Sequence, residues 1–258
     1  MELNSQNYFS KEADLEYMSV SQFKNFMTCE AKALNDLQCN SQEKKEAFLQ
    51  GHFFEELVSG DSESFIKQHP EMISTRGTTA GKLKSEFLKI VKSAKKFKEQ
   101  ELFMDAINNS EKQVILTGTI KDVKVKCCLD LLDLKNQKIY DIKCMKDFSE
   151  QWDKQEKRYV PWYYYWGYVL QLAVYNEIAG QNYNCNFNTY LMAASKEEQP
   201  DICGIQISSY LLYAELQDFE TKIKRYDNIK KGLEVPTSCG CCDFCKSQKR
   251  IKEWKVIK

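Results

Sequence analysis

The sequence predicts an α/β (α+β) fold in which helices flank a mixed central β-sheet. Apolar residues recur at helical spacing over residues 21–37, 81–108 and 163–180. Residues 111–145 instead alternate apolar with polar residues, as half-buried strands do. The resulting order of helices, strands, helix, strands and helix places the sheet in the middle of the chain.

The helices of the N-terminal part follow from capping residues and apolar spacing. Residues 1–18 are predicted to be a loosely structured lead-in, and Ser19 or Ser21 to cap the helix over residues 21–37. A second helix is predicted to begin near Ser41 and to carry His52.

A segment of changed composition comes next. Residues 60–80 carry Gly, Ser, Pro and Thr and are predicted to be irregular. Residues 81–108 predict one long helix, whose lysine-rich stretch over 82–98 is either a solvated face or a phosphate-binding surface.

The strand pattern begins at residue 111. Residues 111–145 predict two or three strands joined by turns such as residues 134–138. The helix over 163–180 is predicted to end at Gly180. Three further elements complete the predicted core, namely strands over 184–195 and 202–208 and a helix over 208–231.

Bulk properties narrow the functional class. Lys+Arg and Asp+Glu number 37 each, so no uniformly basic nucleic-acid-binding surface is indicated. No uncharged apolar run reaches the ~18 residues of a membrane span. The N-terminal segment is polar and acidic, unlike a signal peptide, so we expect a cytoplasmic protein of a bacterium or a phage-infected cell.

Two carboxylates and a lysine occur where the predicted strands end. Asp141 and Lys143 share one strand face, and a hairpin would bring Asp130 beside them. Mg²⁺ prefers such oxygen ligands, and a nearby ammonium can stabilise charge on a phosphate undergoing hydrolysis. The alternative is a solvated strand face with an ion pair.

Further polar residues lie on the helices before and after these strands. His52 has Glu55 and Glu56 one turn later, and Gln171 and Tyr175 share one helix face. Taken alone, each set is equally compatible with an ordinary amphipathic helix.

Together, in this order, these motifs resemble the PD-(D/E)xK nuclease superfamily, specifically RecB-like, exonuclease VIII-like phage recombination nucleases. The resemblance implies a restriction-endonuclease-like core that uses Mg²⁺ or Mn²⁺. It implies metal binding by His52, Asp130, Asp141 and the main-chain carbonyl of Ile142. The catalytic set that it implies is His52, Asp130, Asp141, Lys143, Gln171 and Tyr175. A glycine common before the first Asp is absent here, where Cys127 and Cys128 stand.

The resemblance also carries expectations about organisation and partners. It implies one nuclease domain over 1–258, with a helical part over 1–110, the catalytic sheet core over 111–207 and a C-terminal helix with a Cys-rich metal-binding tail over 208–258. The substrate would be linear duplex DNA or DNA ends, and the partner a single-strand annealing protein. Assembly as a homo-oligomer is left open. The alternatives are an iron–sulfur nuclease of CRISPR adaptation and a catalytically silent DNA-binding protein.

Four cysteines lie within seven positions near the C-terminal end of the sequence. Cys239, Cys242 and Cys245 have the spacing of metal-binding thiolates, with Cys241 as a competitor. Similarity to iron–sulfur members of the RecB-like branch implies Cys29 as the fourth ligand of a [4Fe–4S] cluster. A Zn²⁺ site, or four unligated thiols, are the alternatives.

Seven aromatic residues lie between Tyr159 and Tyr168. They are either core anchors mixed with an oligomer interface, or a platform on which unpaired bases stack. Lys154, Lys157 and Arg158 could contact phosphates there.

Overall fold

The computed structural model describes four stretches of the chain: residues 2–39, 46–154, 156–251 and 254. The chain divides into two compact units. The first unit comprises Met1–Gln42, Thr117–Cys127 and Gln217–Lys258, and the second comprises Glu43–Leu116 and Cys128–Leu216. None of the helices within the described stretches is long and apolar enough to cross a membrane.

The secondary structure follows the predicted order. The α-helices are α1 (Lys11–Glu16), α2 (Val20–Thr28), α3 (Glu30–Cys39), α4 (Glu46–Ser59), α5 (Ser62–Gln68), α6 (Ser85–Lys98), α7 (Glu101–Asn108), α8 (Trp162–Tyr165), α9 (Tyr168–Tyr183), α10 (Ser209–Lys230) and α11 (Asp243–Gln248). The strands are β1 (Glu111–Ile120), β2 (Val123–Asp133), β3 (Lys138–Met145), β4 (Gln151–Asp153), β5 (Arg158–Val160), β6 (Asn188–Ser195) and β7 (Ile202–Ile207).

A five-stranded mixed sheet in the order β1-β2-β3-β6-β7 confirms the predicted fold class. β2 and β3 form an antiparallel hairpin, β6 pairs parallel with β3, and β7 pairs antiparallel with β6. The parallel pair requires a long crossover, which α8 and α9 provide. β4 and β5 form a separate two-stranded sheet within this crossover.

The core of the second unit lies between the sheet and the helices α4, α6 and α7. Phe53 and Phe54 of α4 and Phe97 of α6 are fully buried and pack against strand residues such as Leu131 and Ile142. Burying each large apolar side chain contributes about 1.5–3 kcal/mol, so these helices are held mainly by their apolar faces.

The first unit has an aromatic core and a buried charge. The rings of Phe23 and Phe219 lie 4.2 Å apart. Lys126 is 1% exposed, and its ammonium lies 2.7 Å from a carboxylate oxygen of Asp14 while it donates to the carbonyl of Tyr8. A buried ammonium requires such partners because desolvation is costly.

Two predicted helices are interrupted. The helix over 21–37 is capped by Ser19, as predicted, but breaks at Cys29, which has extended backbone angles of φ −166° and ψ 108°. The next N–H, that of Ala31, donates to the carbonyl of Thr237, a partner far away in sequence. The helix over 81–108 breaks after Lys98, so that α6 and α7 are separate helices.

The prediction over 163–180 was also too simple. α8 and α9 are separated by Gly167, whose φ of 65° lies in the left-handed region. α9 continues past Gly180 and ends at Tyr183, and its C-cap Asn184 is another left-handed residue.

The segments that were predicted to be irregular contain short helices, α1 within 1–18 and α5 within 60–80. Ser10 and Asp61 cap them. The predicted helix start near Ser41 lies outside the described residues.

Candidate active site and cysteine site

The two aspartates of the predicted site lie where the β2–β3 ladder ends. The last registered pair is Leu131 opposite Tyr140, with Asp130 just before it on β2 and Asp141 just after it on β3. The Oδ2 atom of Asp130 accepts a hydrogen bond from the backbone N–H of Ile142 at 2.8 Å. A side chain therefore joins the two strands at this point, and both carboxylates are held on neighbouring strands.

Lys143 lies among three oxygen atoms. Its ammonium is 2.6 Å from Asp141 Oδ2 and 3.6 Å from Asp130 Oδ2. It also donates a hydrogen bond to the carbonyl oxygen of Ile142 at 3.1 Å. The Lys143 side chain is 16% exposed and that of Asp141 only 1% exposed, so the contacts are largely shielded from water.

The electrostatics of the pair follow from this burial. Burial alone would lower the pKa of Lys143, but the carboxylates of Asp141 and Asp130 outweigh it and raise that pKa above its ordinary value. Burial raises the pKa of Asp141 to about 7, although Lys143 opposes the shift. Lys143 is therefore charged at neutral pH, whereas Asp141 ionises with difficulty.

Helix α9 orients Asp141 from the opposite side. Gln171 donates from Nε2 to Asp141 Oδ1 at 2.7 Å, which leaves Oδ2 facing Lys143. One turn earlier, the ring of Tyr168 lies 5.4 Å from the Lys143 ammonium, within the range of a cation–π contact. Tyr175, the second residue of the predicted helix pair, is half-buried one turn beyond Gln171 on the same helix.

Helix α4 brings His52 and Glu55 into the electrostatic environment of this site. Burial lowers the pKa of His52, although the charges of Asp130 and Glu56 oppose it, so the imidazole is neutral. Burial, together with the charge of Asp130, raises the pKa of Glu55 well above its ordinary range. We did not predict Glu55 as a site residue. Its signal in the sequence was its position three residues after His52, on the same side of the helix.

The oxygen atoms at this site fit a hard divalent cation. Asp141 Oδ2 is buried, and the ammonium of Lys143 lies 2.6 Å from it. Two carboxylates and a main-chain carbonyl are ligands of the kind that Mg²⁺ and Mn²⁺ prefer. Among the described residues, the ligand atoms of His52, Asp130 and Asp141 do not all lie within 4.8 Å of one another.

Cys128 is one of the two cysteines that stand near the position of the glycine expected before the first Asp from the family resemblance. It is two residues before Asp130 on β2, and its thiol donates to Gln113 at 3.3 Å. Burial raises the pKa of Cys128 to about 12, and Asp130 adds to the shift. The thiol is therefore protonated, and it is not available as a thiolate ligand.

The four cysteines of the predicted second site converge within the first unit. Cys29, Cys239, Cys242 and Cys245 have sulfur atoms that all lie within 4.8 Å of one another, so that they could hold a metal ion. Two backbone N–H groups, those of Cys241 and Cys242, lower the pKa of Cys239 to about 6, which favours its thiolate form. Cys241 is exposed and is not a member of this group.

The aromatic segment has both buried and exposed members. Trp162 is buried and lies 6.0 Å, centroid to centroid, from Tyr168. Tyr159 is 62% exposed and packs edge-on against Trp152 across the β4–β5 hairpin, at 5.3 Å. Core packing therefore accounts for part of the segment and leaves an exposed part.

Comparisons with known proteins agree with this architecture. The family model described as a PDDEXK-like domain of unknown function, DUF3799, matches residues 19–248. A crystal structure from Eubacterium rectale, of a protein called a "putative exonuclease", is 31% identical over 99% of this chain and 97% of that chain, with a TM-score of 0.89.

A second solved structure, that of SSO0001, is 12% identical over 76% of this chain and 84% of that chain. Its TM-score is 0.29, and it supports no inference about this chain. No curated protein matches. Because this family model matches most of the chain, the chain belongs to the PDDEXK-like family, within the PD-(D/E)xK nuclease superfamily.

Proposed function

We propose that the protein is a DNA nuclease that hydrolyses phosphodiester bonds with the help of Mg²⁺ or Mn²⁺. One observation carries the proposal. The three oxygen atoms that the family resemblance assigns to the metal, on Asp130, Asp141 and Ile142, surround a single cation, the ammonium of Lys143. A cluster of this kind is suited to positive charge beside a phosphate group.

Each residue of the site has a distinct role in the proposed reaction. Lys143 remains protonated because of Asp141 and Asp130, so it acts as a hydrogen-bond donor and a fixed charge rather than as a base. It can hold the attacking water or a phosphate oxygen as negative charge develops. Gln171 fixes the orientation of Asp141, and the N–H of Ile142 fixes that of Asp130.

The divalent cation would be held by Asp130, Asp141 and the Ile142 carbonyl, and the family resemblance implies the neutral His52 as a further ligand. Once bound, it would polarise the scissile phosphate and make a coordinated water a better nucleophile. Hydrolysis then adds water across one P–O bond, and the leaving oxygen takes up a proton.

We further propose that the enzyme acts at DNA ends, as an exonuclease of phage-type recombination that works beside a single-strand annealing protein. The similarity to the Eubacterium rectale protein supports exonuclease action. The motif order supports the recombination role, by family analogy alone. The rival is a nuclease of CRISPR adaptation, which neighbouring genes for an annealing protein or for an integrase-like protein would distinguish.

The test compares linear and closed circular duplex DNA in Mg²⁺ and in EDTA. We expect degradation of linear DNA only, in Mg²⁺ only, and its loss in Asp130→Asn. Asp133→Asn is the matched control, because Asp133 is a buried carboxylate on the same strand that accepts from the backbone N–H and the side-chain amide of Asn136 in the turn. Equal loss of activity per folded molecule in both variants, or intact activity in Asp130→Asn, would overturn the proposed site.

We also propose that the four cysteines bind a structural metal, because hydrolysis transfers no electrons and requires no redox centre. Cys29 precedes α3, whereas the other three thiols lie between residues 239 and 245. A metal ligated by all four therefore ties two distant segments of the first unit together. Similarity to iron–sulfur members of the RecB-like branch predicts a [4Fe–4S] cluster at this position, and a Zn²⁺ site is the alternative.

A further inference from the structure

The sulfur atoms of the cysteine site lie close together. Cys29 and Cys245 are 3.5 Å apart, Cys29 and Cys242 are 3.9 Å apart, and Cys239 and Cys245 are 3.8 Å apart, in each case between Sγ atoms. Four sulfurs bound at about 2.3 Å to one tetrahedral ion lie about 3.8 Å from one another. These three separations match the spacing of thiolates that share a single ion.

A [4Fe–4S] cluster requires a wider arrangement. Each of its four cysteines binds a different iron at a separate corner of a cube, so the thiolates stand around a body of eight atoms rather than around one. Thiolates that all lie within 4.8 Å of one another leave no room for that body. The cysteines do not fit the cluster unless the two segments that carry them move apart.

A network of hydrogen bonds and ion pairs holds those two segments in place. Glu30 directly follows Cys29 in the sequence. The guanidinium of Arg225 donates to both of its carboxylate oxygens, at 2.8 Å each. It also pairs with Glu234 at 2.6 Å and reaches the hydroxyl of Thr237 at 3.2 Å. Arg225 therefore joins the start of α3 to the segment that leads into the cysteines.

The backbone adds to this connection. The N–H of Thr237 donates to Glu30 at 2.7 Å, and the N–H of Ala31 donates to the carbonyl of Thr237 at 3.2 Å. A bidentate Arg–carboxylate contact is directional, and separating these segments would break it together with the backbone bonds. The close sulfur spacing is thus built into the protein around the site.

From these distances we infer that the cysteine site is built for one tetrahedral ion, Zn²⁺, rather than for an iron–sulfur cluster, and that Arg225 is the residue that positions it. This inference rests on the proposal that the thiolates bind a metal, and it is independent of nuclease activity. Zn²⁺ has no preferred geometry of its own and readily takes four thiolates.

The experiment measures metals and acid-labile sulfide in the full-length protein, purified anaerobically from cells supplied with both iron and zinc. We expect a colourless protein with one zinc per chain and no sulfide. A brown protein absorbing near 400 nm, with four irons and four sulfides per chain, would overturn the inference while leaving a metal site in place. The absence of any bound metal would overturn both the inference and the metal site.

Variants separate the ligands from the residue that positions them. Cys242→Ser should lose the zinc, whereas Cys241→Ser should retain it, because Cys241 lies outside the group of four. Arg225→Met should bind zinc with about tenfold lower affinity in a chelator competition, as is typical for residues that orient metal ligands. Lys121→Met, which removes an exposed ion pair with Glu220, is the control and should leave zinc affinity unchanged. Unchanged zinc affinity in Arg225→Met would show that Arg225 does not position the cysteine site.

Discussion

Asp141→Asn should make the stability of the metal-free protein less dependent on pH. The pKa of Asp141 is raised by burial from 3.8 to about 7. A carboxyl with a raised pKa keeps its proton in the folded protein at pH values where the unfolded chain has already lost it. The native state then binds more protons than the unfolded state, so the free energy of unfolding falls as pH rises through this window.

The size of the effect follows from the same shift. Each pKa unit corresponds to about 1.4 kcal/mol, so Asp141 lowers the free energy of unfolding by at most about 4 kcal/mol between pH 4 and pH 7. Above pH 7 the contribution is constant. Asparagine at this position does not titrate, and the variant should lack this part of the slope. Glu55, whose pKa is raised as well, contributes in the same direction in both proteins.

The assay is urea unfolding of both proteins in EDTA at several pH values from 4 to 8, followed by circular dichroism. Comparing slopes rather than absolute stabilities removes the constant cost of breaking the contact with Lys143. A repeat with Mg²⁺ at pH 8 should stabilise the wild type and not Asp141→Asn, because metal binding requires the ionised carboxylate. Parallel profiles for the two proteins in EDTA would refute the reasoning.

Three further predictions concern stability and binding. Gly167→Ala should destabilise the protein by about 1 kcal/mol in urea unfolding, because the backbone φ of Gly167 is 65°. Gly51→Ala in the interior of α4 should instead stabilise the protein by about 0.5–1 kcal/mol, because a Cβ at this position meets no atom within 4 Å. Opposite signs would contradict this assignment. Lys126→Met should lower the free energy of unfolding by about 3 kcal/mol, because the carboxylate of Asp14 loses a buried ammonium partner. Its exposed neighbour is the control, and Lys124→Met should lower that free energy by less than about 1 kcal/mol. Trp152→Ala should weaken binding of single-stranded oligonucleotides in EDTA by about tenfold if bases stack on this hairpin, and an unchanged Kd would assign the exposed ring another role.

The positions of the two aspartates and the lysine could be predicted from the sequence because they depend on local regularities. The alternation of apolar with polar residues predicted the strands, and the short turn over 134–138 predicted the hairpin. The two-residue period of a strand placed Asp141 and Lys143 on one face.

The interruptions of the helices could not be predicted in the same way. The break at Cys29 depends on an acceptor at Thr237, more than 200 residues further along the chain, which no helical period reveals. The turn at Gly167 was hidden because tyrosines and tryptophans on both sides continued the helical pattern. Glu55 was missed because its importance depends on burial beside Asp130, a tertiary property.

The central claim is that the site around Lys143 performs metal-dependent phosphodiester hydrolysis. It is tested most directly by the single-turnover rate of linear duplex DNA cleavage in Mg²⁺, for wild type and Lys143→Met, per folded molecule. Removing a charge that stabilises the transition state should lower the rate by roughly 100-fold or more. A variant that cleaves at the wild-type rate would contradict the account.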